Sequence, residues 1–149
     1  MLQDFTTVEA LVRANNRSAS ISIELVISII WKESGFDDAS KNANSTATGF
    51  MQMTHPAVDD VNANTPEGIH FEYPDMLDGA KNIQCGTYYL DMMVKRAGGD
   101  LTAGLNHYGT GPGYATNLLS AAAALQAAKT PTGQIDPAQA KTCLAQIHT

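Results

Sequence analysis

Positive charge is scarce in this chain. Nine Lys and Arg stand against fifteen Asp and Glu, a formal net charge of −6. No basic stripe runs along any segment, which excludes a general nucleic-acid binder, because such binding rests on Lys and Arg neutralising phosphates. Long apolar runs are missing too. The longest, Leu25 to Trp31, is broken by Ser28, whereas a bilayer span needs about 18 or more apolar residues. Only two cysteines occur, Cys85 and Cys143, at no metal-ligand or C-x-x-C spacing. They either form one disulfide outside the cytosol or stay as buried thiols. His55, His70, His107 and His148 show no H-E-x-x-H pattern, and no G-x-S-x-G is present. Asp60, Asn62 and Asn64 alternate like the start of a calcium loop. The fit then fails, with Thr65 at the turn glycine, Pro66 after it and Glu72 one residue late. No metal and no cofactor is expected. Met1 to Phe5 contain neither a charged leader nor a continuous apolar segment. Either a signal peptide has been trimmed, as from a housekeeping enzyme, or export uses a route without one.

What the chain does have is helix signals. Hydrophobic residues make up 44% and charged residues 16% of 149 residues, enough for one packed domain over 1–149 that needs no staple. Apolar and polar residues almost never alternate, so strands are not expected. Thr6 with Glu9 has capping-box spacing and opens a helix to about Asn15. Ser20 or Ser22 caps a second helix that stops at Gly35. Its apolar residues, Ile23 to Trp31, cover nearly the whole circumference, so it should be central and buried. A loop is expected over 36–48, a short helix over 49–61 and a loop over 62–74. Asp75 is expected to cap a helix over 76–97, and Asp100 one ending near His107. A Gly-rich loop runs from Tyr108 to Tyr114. Helices over 115–129 and 136–147 close an all-α globule. The Ala-rich 115–129 helix lacks a basic face and reads as packing surface rather than as a membrane-active segment.

Glu33 stands out. It follows Val26 and Ile30 on the apolar face of the central helix. It also sits at the C-terminal end, where the helix dipole disfavours negative charge. Both effects raise a carboxyl pKa. A rise from about 4.3 to about 6 corresponds to roughly 2.3 kcal/mol favouring the protonated form. A carboxyl kept protonated near neutral pH can donate to a leaving-group oxygen. Taken alone, a glutamate at a helix end is more often a surface residue.

The context shifts that balance. Glu33-Ser34-Gly35-Phe36 is followed by Gly49-Phe50-Met51-Gln52, then Gly86-Thr87-Tyr88-Tyr89-Leu90, then Tyr108-Gly109-Thr110-Gly111-Pro112-Gly113. This ordered set resembles the lytic transglycosylases, lysozyme-like proteins related to goose-type lysozymes, with their E-S-x-F, G-x-M-Q, G-x-x-Y-L and Y-N-x-G-x-G pattern. The resemblance covers roughly 20–116. It implies a lysozyme-like helical fold with a glycan-binding cleft and Glu33 as catalytic acid/base. It also implies that Ser34 binds substrate and that Gln52 binds sugar beside Glu33. Tyr108 would help hold the Glu33 carboxyl, with Met51 on the cleft wall and Tyr89 toward its floor. The chain departs from the pattern at Gly109, where asparagine is usual. Asn106, two residues before Tyr108, is the expected substitute.

The resemblance implies cleavage of peptidoglycan glycan strands. Most glycosidases use two carboxyl groups. No clear second one accompanies Glu33, and the aspartate that follows the goose-type motif is Thr54 here. A one-carboxyl transglycosylase giving 1,6-anhydro ends is therefore favoured. The alternatives are a hydrolytic muramidase, with Asp59, Asp60 or Glu72 positioning water, and a non-catalytic glycan-binding module. The expected setting is a bacterial periplasm, reached by a specialised secretion system or from a phage. Similar stand-alone domains occur among type VI secretion effectors, which are blocked by a cognate immunity protein.

Overall fold

The computed structural model describes residues 1–147, so His148 lies outside it. The described residues form seven α-helices, α1 (Phe5–Asn15), α2 (Ile23–Ser34), α3 (His55–Asn64), α4 (Gly79–Arg96), α5 (Leu101–Tyr108), α6 (Tyr114–Ala127) and α7 (Pro137–Leu144). A 3-10 turn over Tyr73–Leu77 precedes α4. Among the described residues, β pairing is limited to isolated bridges, Leu2 with Asp37, Lys41 with Thr48 and Thr48 with Met53. The expected all-α class holds. No described helix is long and apolar enough to cross a membrane.

α2 is the centre. Leu25, Val26, Ile27, Ile29 and Ile30 are all buried, and each such side chain contributes about 1.5–3 kcal/mol by leaving water. The one polar residue in that run, Ser28, turns its hydroxyl back to the Glu24 carbonyl at 2.9 Å, which satisfies it without a tertiary partner. Both α6 and α1 pack against α2. On α6 the small residues Ala121 and Ala122 alternate with Leu118 and Leu125 in the buried face. The Ala-rich stretch is thus helix-packing surface. Glu24, 3% exposed, meets Lys129 just past α6, with Nζ 2.6 Å from Oε1.

Ser22 and Gly35 bound α2 as expected, the serine accepting from Leu25 N and the glycine taking φ 60°. Other boundaries move. Asp4, not Thr6, caps α1 by accepting from Thr7 N at 2.8 Å. Residues 49–54 are turn rather than helix, because Gly49 and Gln52 adopt φ 79° and 52°. Helix begins only after Thr54, whose hydroxyl accepts from Ala57 N at 3.2 Å. Asp75 closes the 3-10 turn on Glu72 N, and Asp78 caps α4 in its place. α7 stops at Leu144, short of the expected 147.

Candidate active site

α2 ends in a sharp reversal that fixes Glu33. Gly35 N donates to the Trp31 carbonyl at 2.9 Å. Phe36 then also takes a left-handed φ of 70°, an unusual conformation for a bulky residue. Its ring is buried and packs edge-on to Trp31, centroids 5.0 Å apart. Burial of that ring offsets the backbone strain. Glu33 itself is partly buried, and the Tyr114 hydroxyl donates to its Oε2 at 2.6 Å. Burial lifts the carboxyl above its usual range. The Tyr114 bond and the Lys32 charge oppose that lift without cancelling it. A carboxyl in this state is predisposed to hold a proton until an acceptor arrives.

The loop before α3 forms a second wall. Asn82, fully buried on α4, grips it at two points and ties it to the 3-10 turn at a third. Its Oδ1 accepts from Met51 N at 2.9 Å, and its Nδ2 donates to the carbonyls of Thr48 and Met76, both at 2.9 Å. Gly49 has no room for a side chain beside Met76 and Asn82. Gln52, left-handed at φ 52°, donates from Nε2 to the carbonyls of Ser40 (3.1 Å) and Gly49 (3.0 Å). Those bonds orient the amide and leave its Oε1 unbonded among the described residues. Strain at Phe36 and at Gln52, the two non-glycine positive-φ residues among those described, thus flanks the site on both motifs.

Met51 is completely buried and packs against Gly86, where any Cβ would overlap its sulfur. It lies beneath the wall rather than on it. Its carbonyl accepts from the Tyr108 hydroxyl at 2.7 Å. Burial first, and then the Glu33 charge, raise the Tyr108 hydroxyl well above its usual range. The carboxyl, however, is held by Tyr114 and not by Tyr108. Tyr89 tilts against Tyr108, centroids 5.7 Å apart. Ser34 returns its hydroxyl to the Ile30 carbonyl at 2.9 Å. Asn106 is exposed, and its Oδ1 accepts from Ala115 N at 3.4 Å, where it steadies the start of α6.

The other acids are engaged elsewhere. Asp59 accepts from the Tyr73 hydroxyl at 2.6 Å, Asp60 takes both Nη atoms of Arg96 at 2.7 and 2.8 Å, and Glu72 pairs with His70 at 3.0 Å. No second carboxylate acts on Glu33 among the described residues. No described group of His, Cys, Asp and Glu has the arrangement to hold a metal. A cavity of about 210 Å³ adjoins the site, lined by Lys32, Thr110, Tyr114 and Asn117. Another cavity, of about 330 Å³, is lined by Trp31, Phe36 and the N-terminal segment. Trp31 lies two residues from Glu33, about 200° around the helix, so this cavity opens away from the carboxyl.

Sequence reasoning passed over two residues, Tyr114 and Asn82. An asparagine in a helix interior is a faint signal of side-chain bonding to backbone. For Tyr114 the available signal was the glycine at 109.

Lytic transglycosylases are among the solved structures similar to this one. The 70-kDa soluble lytic transglycosylase in complex with bulgecin A gives a TM-score of 0.60 at 21% identity, over 77% of this chain and 18% of that one. The 70-kDa enzyme SLT70 from Escherichia coli gives 0.60 at 20% identity, over 91% and 20%. An inactive mutant of the lytic transglycosylase Slt from Pseudomonas aeruginosa gives 0.57 at 18% identity, over 72% and 17%. This chain thus spans about a fifth of those chains, and at such identities the likeness establishes the lysozyme-like fold. The family described as the transglycosylase SLT domain matches residues 10–130, most of the chain. The chain belongs to the transglycosylase SLT domain family.

Proposed function

We propose that the chain is a peptidoglycan lytic transglycosylase in which Glu33 is the single acid/base. The observation that carries this reading is a partly buried carboxyl at the end of α2, bonded by Tyr114, with no second carboxylate acting on it among the described residues. Glu33 protonates the oxygen of the bond between N-acetylmuramic acid and N-acetylglucosamine. As that bond breaks, the substrate's own N-acetyl oxygen stabilises the positive anomeric carbon, a recognised exception to two-carboxylate catalysis. Glu33, now a base, takes the proton from the muramic acid 6-hydroxyl, whose oxygen closes onto C1. One glycosidic bond breaks, one 1,6-anhydro bond forms, and Glu33 regains its proton. No water is consumed.

Gln52 fits the role of sugar ligand, since its amide is fixed through Nε2 and offers Oε1 as acceptor. The engagement of Asp59, Asp60 and Glu72 in other contacts weighs against the muramidase alternative. The reading places the working site in the bacterial cell wall. A secreted antibacterial effector with a cognate immunity protein over the cleft belongs to the same proposal and rests on the sequence reading. Pull-down against proteins of the source genome tests it, and absence of a cleft-blocking partner counts against it. For the activity, Glu33→Gln is decisive. The variant should still retain glycan strands while turnover falls by at least about 100-fold, a typical loss for a general acid. Full activity in the variant would refute the role of Glu33, and a wild-type protein that only binds would identify a glycan-binding module.

A further inference from the structure

Residue 109 is a glycine for a reason its backbone does not supply. Its φ and ψ of −118° and 179° are ordinary extended values open to any residue. A Cβ built there would overlap the phenol end of Tyr114, reaching Cζ and both Cε atoms. The missing side chain is therefore space, and the Tyr114 ring fills it. The loop between them turns back through Gly111 at φ 104° and Gly113 at φ 73°, which brings Tyr114, first residue of α6, onto Gly109. Tyr114 is only 4% exposed. Its hydroxyl emerges from this slot at 2.6 Å from Glu33 Oε2.

We propose that Tyr114 is the positioning residue of the catalytic carboxyl and that Gly109 is the vacancy that admits it. The inference rests on the reading of Glu33 as acid/base. Tyr114 pins one carboxyl oxygen, so the group presents the other in a fixed direction. Its donated hydrogen also strengthens as Glu33 becomes anionic, which favours proton release to the leaving oxygen. The phenol keeps its own proton, because burial and the Glu33 charge both hold it protonated. The neighbouring groups are few. Lys32 lies on α2 and Tyr108 on α5, and both sense Glu33. On α1, which packs against α2, Glu9 and Arg13 pair with each other at 3.3 Å. In the loop after α2, Asp37 and Asp38 are bonded by the N-terminal amine at 2.9 and 2.8 Å.

The test compares wild type, Tyr114→Phe, Gly109→Ala, the double variant and Glu33→Gln. Two readouts are taken, carbon NMR titration of the glutamate carboxyls, with Glu33 assigned by its loss in Glu33→Gln, and pH profiles of kcat and KM on purified sacculi. Tyr114→Phe keeps the ring and should keep the fold, checked by thermal melting. Its Glu33 titration and the alkaline limb of its kcat profile should both move to higher pH. Its kcat should fall by about 10- to 100-fold, the rate equivalent of one hydrogen bond to a charged group, with KM little changed. Gly109→Ala should reproduce these shifts by displacing the ring. The double variant should be no worse than the poorer single, because both substitutions remove one bond. An unshifted Glu33 titration in Tyr114→Phe, or strictly additive losses in the double variant, would overturn the assignment. Full activity in Glu33→Gln would overturn the underlying reading instead, and the NMR arm separates the two.

Discussion

Met51 N donates to Asn82 Oδ1 across 2.9 Å in the fully buried interior, joining the turn before α3 to the first turn of α4. Asn82 engages both ends of its amide on backbone groups, two in that turn and one in the 3-10 turn before α4. The turn that carries Gln52 is therefore a fixed part of the core and not a free surface loop. Replacing Asn82 with Leu keeps the volume and strands three backbone groups. At about 1–3 kcal/mol for each group left unsatisfied, with partial relaxation, the loss should be about 2–4 kcal/mol. Urea unfolding monitors it. A change below about 0.5 kcal/mol would show that the turn holds itself.

Stability should depend on pH through Glu33 in a definite direction. Its pKa in the folded protein is raised above 4.5, chiefly by burial. The stability tied to this group is thus fully present below about 4.5 and lost as pH rises through the raised folded value. Glu33→Gln should melt higher than wild type at neutral pH, and the gap should close on acidification below about 4.5. A gap that widens on acidification would contradict the burial of the carboxyl.

Two ion pairs offer a contrast in environment. Lys129 Nζ and Glu24 Oε1 meet at 2.6 Å with side chains 21% and 5% exposed. Arg13 and Glu9 meet at 3.3 Å, with the arginine 44% exposed. Lys129→Ala leaves a buried carboxylate alone and should cost about 3 kcal/mol. Arg13→Ala should cost under about 1 kcal/mol. Denaturant midpoints of the two variants should rank accordingly, and equal midpoints would refute the distinction.

The cysteines are free in the structure, Cys85 buried and Cys143 partly so. Burial pushes the Cys85 thiol up to about 12, so almost no thiolate exists near neutrality. A thiol reagent at pH 8 should label Cys85 only after denaturation. Labelling of Cys85 at the native rate of an exposed thiol would contradict the packing around α4.

Much of this architecture was legible because local signals agreed with the tertiary demand. Ser22, Gly35, Asp100 and Asp136 cap where side-chain chemistry says they should, and the continuous apolar surface of α2 announces a central helix. Legibility failed where tertiary contacts decide. Thr6 and Glu9 have the right spacing, but Asp4 reaches Thr7 N first. Residues 49–54 contain apolar side chains that suit a helix, yet Asn82, distant in sequence, captures Met51 N and holds the backbone open. In the site, Glu33 is conspicuous as a charge on an apolar face. Its partner was less so. Tyr114 follows the glycine-rich motif, and its bond to Glu33 exists only through the space at Gly109. No single-residue preference encodes that juxtaposition.

Product chemistry reaches the central claim most directly. Sacculi digested with wild type should release muramyl ends lighter by one water than those from a hydrolase, and no such ends should accumulate with Glu33→Gln. Ends carrying the added water would assign the chain to hydrolysis, and anhydro ends produced undiminished by Glu33→Gln would remove the carboxyl from the mechanism.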